Sequence, residues 1–302
     1  HFGTCGGCVA QHMPDEVYAN WKRGLIVDAF AHRGITAAVA PLERVPLHSR
    51  RRAFLGVVRH GSEVSIGFRE EGAHTLVPMS ECPVLDARIV AALPALKEMA
   101  RFAMPEAESG RLIVTMTDHG LDVAFDNGIK GLTAEARARL AKLATLARLV
   151  RLTVRGEPIA EHGAATVTIG GIAVETPQSI FLQAVETAER RLIDLVLAGV
   201  PKKAKSAADL FSGLGTFTFP LARRLRVTAI DSDKRAMDAL AKAARNAQGL
   251  KPIEVRHRDL FREPLATKEL DHFDCIVFDP PRAGAAEQAG RIARSKVPAV
   301  IA

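Results

Sequence analysis

The chain has 302 residues, 48% hydrophobic and 25% charged, which suits about two domains with buried cores and excludes a disordered or fibrous composition. No apolar run reaches the roughly 18 to 20 residues that span a bilayer, and the amino terminus lacks the charged-then-apolar order of a signal peptide, so a cytoplasmic monomer is expected. Lys and Arg number 41 against 34 Asp and Glu, a net charge of +7 that favours a polyanionic partner, and four cysteines without a secretion signal argue against a disulfide framework.

The first motif is "CGGC", Cys5 and Cys8, a spacing common in metal sites. After it, Val17, Leu25, Val27 and Phe30 at helical spacing predict a helix from Glu16 to His32, ended by Gly34; this helix (16–33) is expected to pack on the second domain. From Arg52 the period changes to two: "RRAFLGVVRH", "EVSIGFRE" and "HTLVPM" predict a hairpin and a third strand, with Phe54 and Phe68 in the core. Asp86 to Phe102 reads as one helix, "RLIVTMT" and "LDVAFD" as a hairpin, and Thr133 caps a helix running to Ala147. "RLTVRG" and a hairpin turning at Gly170-Gly171 close an α+β antiparallel-sheet domain over 1–176.

From 177 to 302 strands alternate with helices: helix Gln183 to Leu197, linker "PKKAKS", then "AADLF", "RVTAID", "IEVRH" and "FDCIVFD" as strands, with helices at Phe217 to Leu225 and Lys234 to Ala247 between them. That order predicts an α/β domain with a parallel sheet covered on both faces. "DLFSGLGTF" places Gly213 and Gly215 where a buried strand turns into a helix, so that backbone N–H groups can approach a ligand. Alone, Gly-x-Gly is generic. Asp231, ending the next strand, is placed to accept ribose hydroxyls, and Asp259 and "DPPR" follow the third and fourth strands, which points to an adenosyl ligand at the switch point of an open sheet. A dinucleotide site needs a third glycine, and Thr218 stands there. Cys275, inside "FDCIVFD", reads as a core thiol rather than a nucleophile.

Taken together, "CGGCVAQH", "RRRAFL", "GFRE", "ECPVL", "FLQ", "DLFSGLGTFTFPLA", "AIDSD" and "DPPRAGA" resemble, nearly end to end, the RNA 5-methyluridine methyltransferases, and specifically their iron–sulfur branch acting on 23S ribosomal RNA. The resemblance implies a Rossmann-like class I domain binding S-adenosyl-L-methionine and an RNA partner, 23S rRNA over tRNA. By it, Gln183, Asp209, Phe211, Gly213, Gly215, Asp231, Asp259 and Asp279 line the cofactor, with Asp279 also orienting the target uracil. In this family a cysteine thiolate adds to uracil C6, C5 attacks the methyl group, and a base removes the C5 proton to release the enzyme. Both groups are expected outside residues 1–302, the methyltransferase domain being incomplete at its carboxyl end and the fragment inactive, and "FLQAVETAE" lacks the family's usual Asn.

Metal chemistry at the cysteines stays open between two donor sets. Three thiols and His12 could make a zinc site, although a plain hydrogen-bonding role suits His12 better; the resemblance instead implies a [4Fe–4S] cluster held by Cys5, Cys8, Cys82 and a cysteine preceding His1. Arg50, Arg51 and Arg52 form a basic cluster whose expected role is phosphate contact in RNA. Alternatives from other classes are a non-catalytic RNA- or metal-binding protein that keeps the fold, and a tRNA uridine C5-methyltransferase.

Overall fold

The computed structural model describes residues 1–302. Helix α1 (Asp15–Ala31) follows the cysteine loop, and then β1 (Arg52–His60), β2 (Glu63–Arg69), β3 (Leu76–Pro78), α2 (Ala87–Ala91), α3 (Leu93–Ala103), β4 (Ser109–Thr117), β5 (Gly120–Phe125), α4 (Ala134–Leu146), β6 (Leu149–Val154) and β7 (Glu157–Glu161) build the first unit. Its seven-stranded sheet runs β3-β2-β1-β4-β5-β6-β7. Every neighbouring pair is antiparallel except β5 and β6, which corrects the expectation of a purely antiparallel sheet: α4 carries the chain across, and a helical crossover returns the strand parallel. The core lies under α3 and α4, where Leu55, Ile66, Leu96, Met99, Leu112, Phe125 and Leu140 are fully buried.

Two helices replace the single one expected from Asp86 to Phe102. Asp86 caps α2 by accepting the Arg88 N–H at 2.9 Å, and proline in the first turn of α3 restarts the helix where its missing N–H is not needed. Thr133 caps α4 as expected, accepting the Ala136 N–H at 3.2 Å.

The second unit contains β8 (Thr166–Ile169), β9 (Ile172–Glu175), α5 (Glu186–Gly199), β10 (Ser206–Leu210), α6 (Thr218–Ala222), β11 (Arg226–Asp231), α7 (Lys234–Asn246), β12 (Ile253–His257), α8 (Thr267–Leu270), β13 (Cys275–Phe278), α9 (Ala286–Ala293) and β14 (Val300–Ile301). Its all-parallel sheet has the order β12-β11-β10-β13-β14, so the winding reverses between β10 and β13 and opens a crevice at their carboxyl ends. The β8–β9 hairpin turns on Gly170 and Gly171, both at positive φ, and a Cβ at Gly170 would meet Pro220 at 2.8 Å. Val167, Ile169, Ile172 and Val174 share a core with Leu214, Phe219, Met237 and Leu240. The hairpin, expected as the last element of the first domain, buries its apolar face against the parallel-sheet unit and hydrogen-bonds through Thr168 to Asp118 of the first.

Helix α1 departs from expectation too. None of its residues is buried, and Trp21, Leu25, Ile26 and Phe30 face outward, so in this structure it does not pack on the second unit. Cys275 sits within β13 with no exposed surface, and burial pushes its thiol up to about 11, as suits a core cysteine.

Candidate functional site

The crevice is built from the turn after β10. Phe211, Gly213 and Gly215 all have positive φ (65°, 52° and 95°), and for Phe211 this is a conformation that L side chains rarely adopt. Gly213 opens to free space, whereas a Cβ at Gly215 would come within 2.8 Å of Phe219 and 3.1 Å of Leu240. Asp231 ties the turn to the next strand: its carboxylate accepts the Gly213 N–H at 2.9 Å and the Asp233 N–H at 2.8 Å. Asp259 accepts N–H groups from Phe261 and Arg262 at 2.9 and 3.3 Å.

Two polar atoms under this turn have no partner. Asp209 is completely buried; one carboxylate oxygen accepts the Thr218 hydroxyl at 2.6 Å, while the other, like the Ser212 hydroxyl, is unsatisfied. Burial raises the Asp209 carboxyl to about 7, the Thr218 hydrogen bond opposing and the charges of Asp279 and Asp231 adding to the rise. Asp279 follows β13, and desolvation raises it as well. Sequence reasoning missed Phe261, half exposed, whose ring lies 5.5 Å from Phe211, itself 6.0 Å from Phe278. A lone apolar residue after "RDL" carries no periodic signal that would mark it.

The arginine cluster splits three ways. Arg51 is 8% exposed: it donates to Glu189 Oε2 at 2.8 Å and to the Gln183 carbonyl at 3.0 Å, and its backbone N–H donates to Ala184 at 2.8 Å. Its guanidinium is thus committed inside the protein, which corrects the expectation of phosphate contact. Glu189 is 2% exposed, and burial holds its carboxyl above the usual range despite Arg51. Arg52 donates to the Ser179 carbonyl at 3.3 Å and lies 4.4 Å from the Phe54 ring centre and 6.0 Å from that of Phe181, with its Nε buried and unpartnered. Phe54 is 43% and Phe181 67% exposed, so Phe54 is not the core residue expected. Arg50 stays exposed and donates to the Arg52 carbonyl at 3.0 Å.

Cys5, Cys8 and Cys82, distant in sequence, line one cavity of 530 Å³ together with Arg50. Partial burial raises the Cys8 thiol, Cys82 and then Cys5 add to the rise, and Arg50 opposes it. No three His, Cys, Asp or Glu side chains are gathered closely enough to hold a metal ion. His12 packs its ring 4.8 Å from Phe2 and does not line this cavity, which removes the fourth ligand of the zinc alternative.

The methyltransferase small domain matches residues 180–296. The chain is 42% identical over its whole length to an RNA methyltransferase of Brucella suis, covering 72% of it, and 41% identical to one of Caulobacter vibrioides, covering 74%. It is 30% identical over 95% of its length to the 23S rRNA (uracil(1939)-C(5))-methyltransferase RlmD of Acinetobacter baylyi, covering 66% of that protein. Among solved structures, the Pyrococcus abyssi tRNA (uracil-54, C5)-methyltransferase in complex with S-adenosyl-L-homocysteine has the same fold, with a TM-score of 0.75 at 21% identity over 97% of this chain and 73% of that one. A parallel-sheet crevice with an unsatisfied acid under its glycine turn, and full-length likeness to these relatives, place the chain in the RNA methyltransferase family.

Proposed function

We propose that the protein transfers a methyl group from S-adenosyl-L-methionine to C5 of a uridine in 23S ribosomal RNA. The observation that carries the cofactor half is the pair of unsatisfied buried acceptors, Asp209 and Ser212, beneath a turn whose Gly215 leaves no room for a Cβ. A cationic ligand carrying N–H donors suits both features. S-adenosyl-L-methionine would supply the electrophilic methyl group. Asp231 and Asp259 would hold its ribose and adenine edge, with Phe211 and Phe261 flanking, and Asp209 would meet its positive end.

For the RNA half, the exposed rings of Phe54 and Phe181, which flank the buried Arg52 guanidinium, offer an aromatic surface on which an unstacked base can lie. Asp279, whose carboxyl desolvation raises, can accept a hydrogen bond from a uracil edge. None of the four cysteines is assigned as the thiolate that attacks C6, since Cys275 is buried and the other three line the cavity with Arg50. The likeness to RlmD favours 23S rRNA over tRNA. Methyl transfer from labelled cofactor by the full-length protein, compared on unmodified 23S rRNA and tRNA, tests this reading: label at uridine C5 of 23S rRNA supports it, and label on tRNA alone or on another base refutes it.

We infer in addition that the cavity at Cys5, Cys8 and Cys82 seats a [4Fe–4S] cluster. Support comes from three thiols lining one cavity; they are not gathered to metal-ligand distance of one another, the donor set is one ligand short of the four a closed cluster takes, and no methyl-transfer step runs through it. Anaerobically purified full-length protein should contain iron and sulfide, and Cys82→Ser should lose both; iron-free protein that binds zinc instead would contradict the assignment.

A further inference from the structure

The two edges of the parallel sheet differ in how their charges are balanced. At the carboxyl ends of its strands Asp209, Asp231, Asp233, Asp259 and Asp279 are interleaved with Lys234, Arg235, Arg258, Arg262 and Arg282. At the amino ends stand Lys202, Lys203 and Lys205 before β10, Arg223 and Arg224 after α6, Arg226 opening β11, and Lys251 before β12, in excess over the acids Asp271 and Asp274 before β13. Backbone hydrogen bonds bring them to one edge, Arg226 N–H to the Lys205 carbonyl at 3.0 Å and Lys251 N–H to the Ala222 carbonyl at 2.7 Å.

All seven are exposed, and none makes an ion pair, although ion pairs are frequent elsewhere on the molecule, as at Arg191 and Glu43 or Arg256 and Glu254. Of the acids at this edge, Asp274 accepts the N–H groups of Lys205 and Ser206 and Asp271 that of Lys296, and neither forms an ion pair with a side-chain cation. Like charges in excess over their counter-charges repel one another, and a polyanion relieves that repulsion. No exposed aromatic side chain lies among them, so the edge suits phosphates and not base stacking.

We propose that this amino-terminal edge is a second RNA surface, which grips the phosphate backbone of the substrate outside the methylated site. It rests on membership of the RNA methyltransferase family and not on which base is modified. Strands of five or six residues separate the edges by roughly 17–20 Å, a span that a folded RNA bridges and a short oligonucleotide seated at the crevice does not.

The test measures RNA binding by the full-length protein and by its K202Q/K203Q/K205Q/R223Q/R224Q variant across a salt series. The probes are a folded rRNA fragment of about a hundred nucleotides and a short single-stranded oligoribonucleotide. The variant should bind the folded fragment at least tenfold more weakly, with the slope of log affinity against log salt flatter by about 2–4, each lost phosphate contact accounting for roughly 0.7–0.9. Its affinity for the oligonucleotide and for S-adenosyl-L-homocysteine should match the parent, the latter establishing that the variant is folded. An unchanged slope, or equal weakening for both RNAs, overturns the proposal. Because binding is read without catalysis, a wrong assignment of the methylated base would leave this result standing.

Discussion

At the scale of single residues, Gly215 and Asp209 carry the clearest consequences. Gly215→Ala forces a Cβ to 2.8 Å from Phe219 at a φ of 95°, so it should lower stability by about 1–3 kcal/mol and weaken S-adenosyl-L-homocysteine binding more than tenfold, read by calorimetry. Asp209 binds its proton more tightly folded than unfolded, so its contribution is greatest below its ordinary value near 3.8, shrinks as pH rises, and levels off above about 7. Denaturant unfolding of the ligand-free protein should therefore lose stability between pH 4 and 7 relative to Asp209→Asn by as much as about 4 kcal/mol, at 1.36 kcal/mol per pKa unit. Parallel pH profiles for the two proteins would contradict this. The glycine turn was legible because backbone demands restrict residue type directly. The fate of Arg51 was not: a run of three arginines reads as a charged surface, and only the fold reveals that the middle one meets Glu189, 138 positions away.

At the scale of elements, Arg51 joins the start of β1 to α5 and to the segment containing Gln183. Glu189→Ala, which strands a buried cation, should cost about 3–5 kcal/mol, whereas Arg51→Met with Glu189→Leu should be close to neutral. If Arg51 also positions Gln183, the apolar pair should keep its melting temperature yet show a raised KM for the methyl donor. An unchanged KM would leave Arg51 a purely structural residue. The β8–β9 hairpin belongs to the parallel-sheet unit through Ile169 and Val174, so Ile169→Ala, at about 2–5 kcal/mol, should speed hydrogen exchange in α7 and β11 and spare β4 and β5. Strand alternation identified this hairpin from sequence, but alternation says which face is apolar and not which neighbour covers it. The same gap explains why the parallel β5–β6 pair and the exposed α1 departed from expectation.

For the molecule as a whole, the order of strands and helices made the second unit readable, since alternating β and α leave few topologies and the crevice then follows from the strand order. The gathering of cations at the amino ends of that sheet was not readable, because they come from three connections that only the fold brings together. On the proposed reading, the basic edge takes hold of a folded RNA by its backbone while the crevice over Asp209 and the Phe54–Phe181 surface bring one base to the methyl donor. The most direct test digests 23S rRNA after incubation with full-length protein and S-adenosyl-L-methionine labelled in the methyl group. The account predicts labelled 5-methyluridine as the sole modified nucleoside, lost with Asp231→Ala; label in any other nucleoside, or none in 23S rRNA, would contradict it.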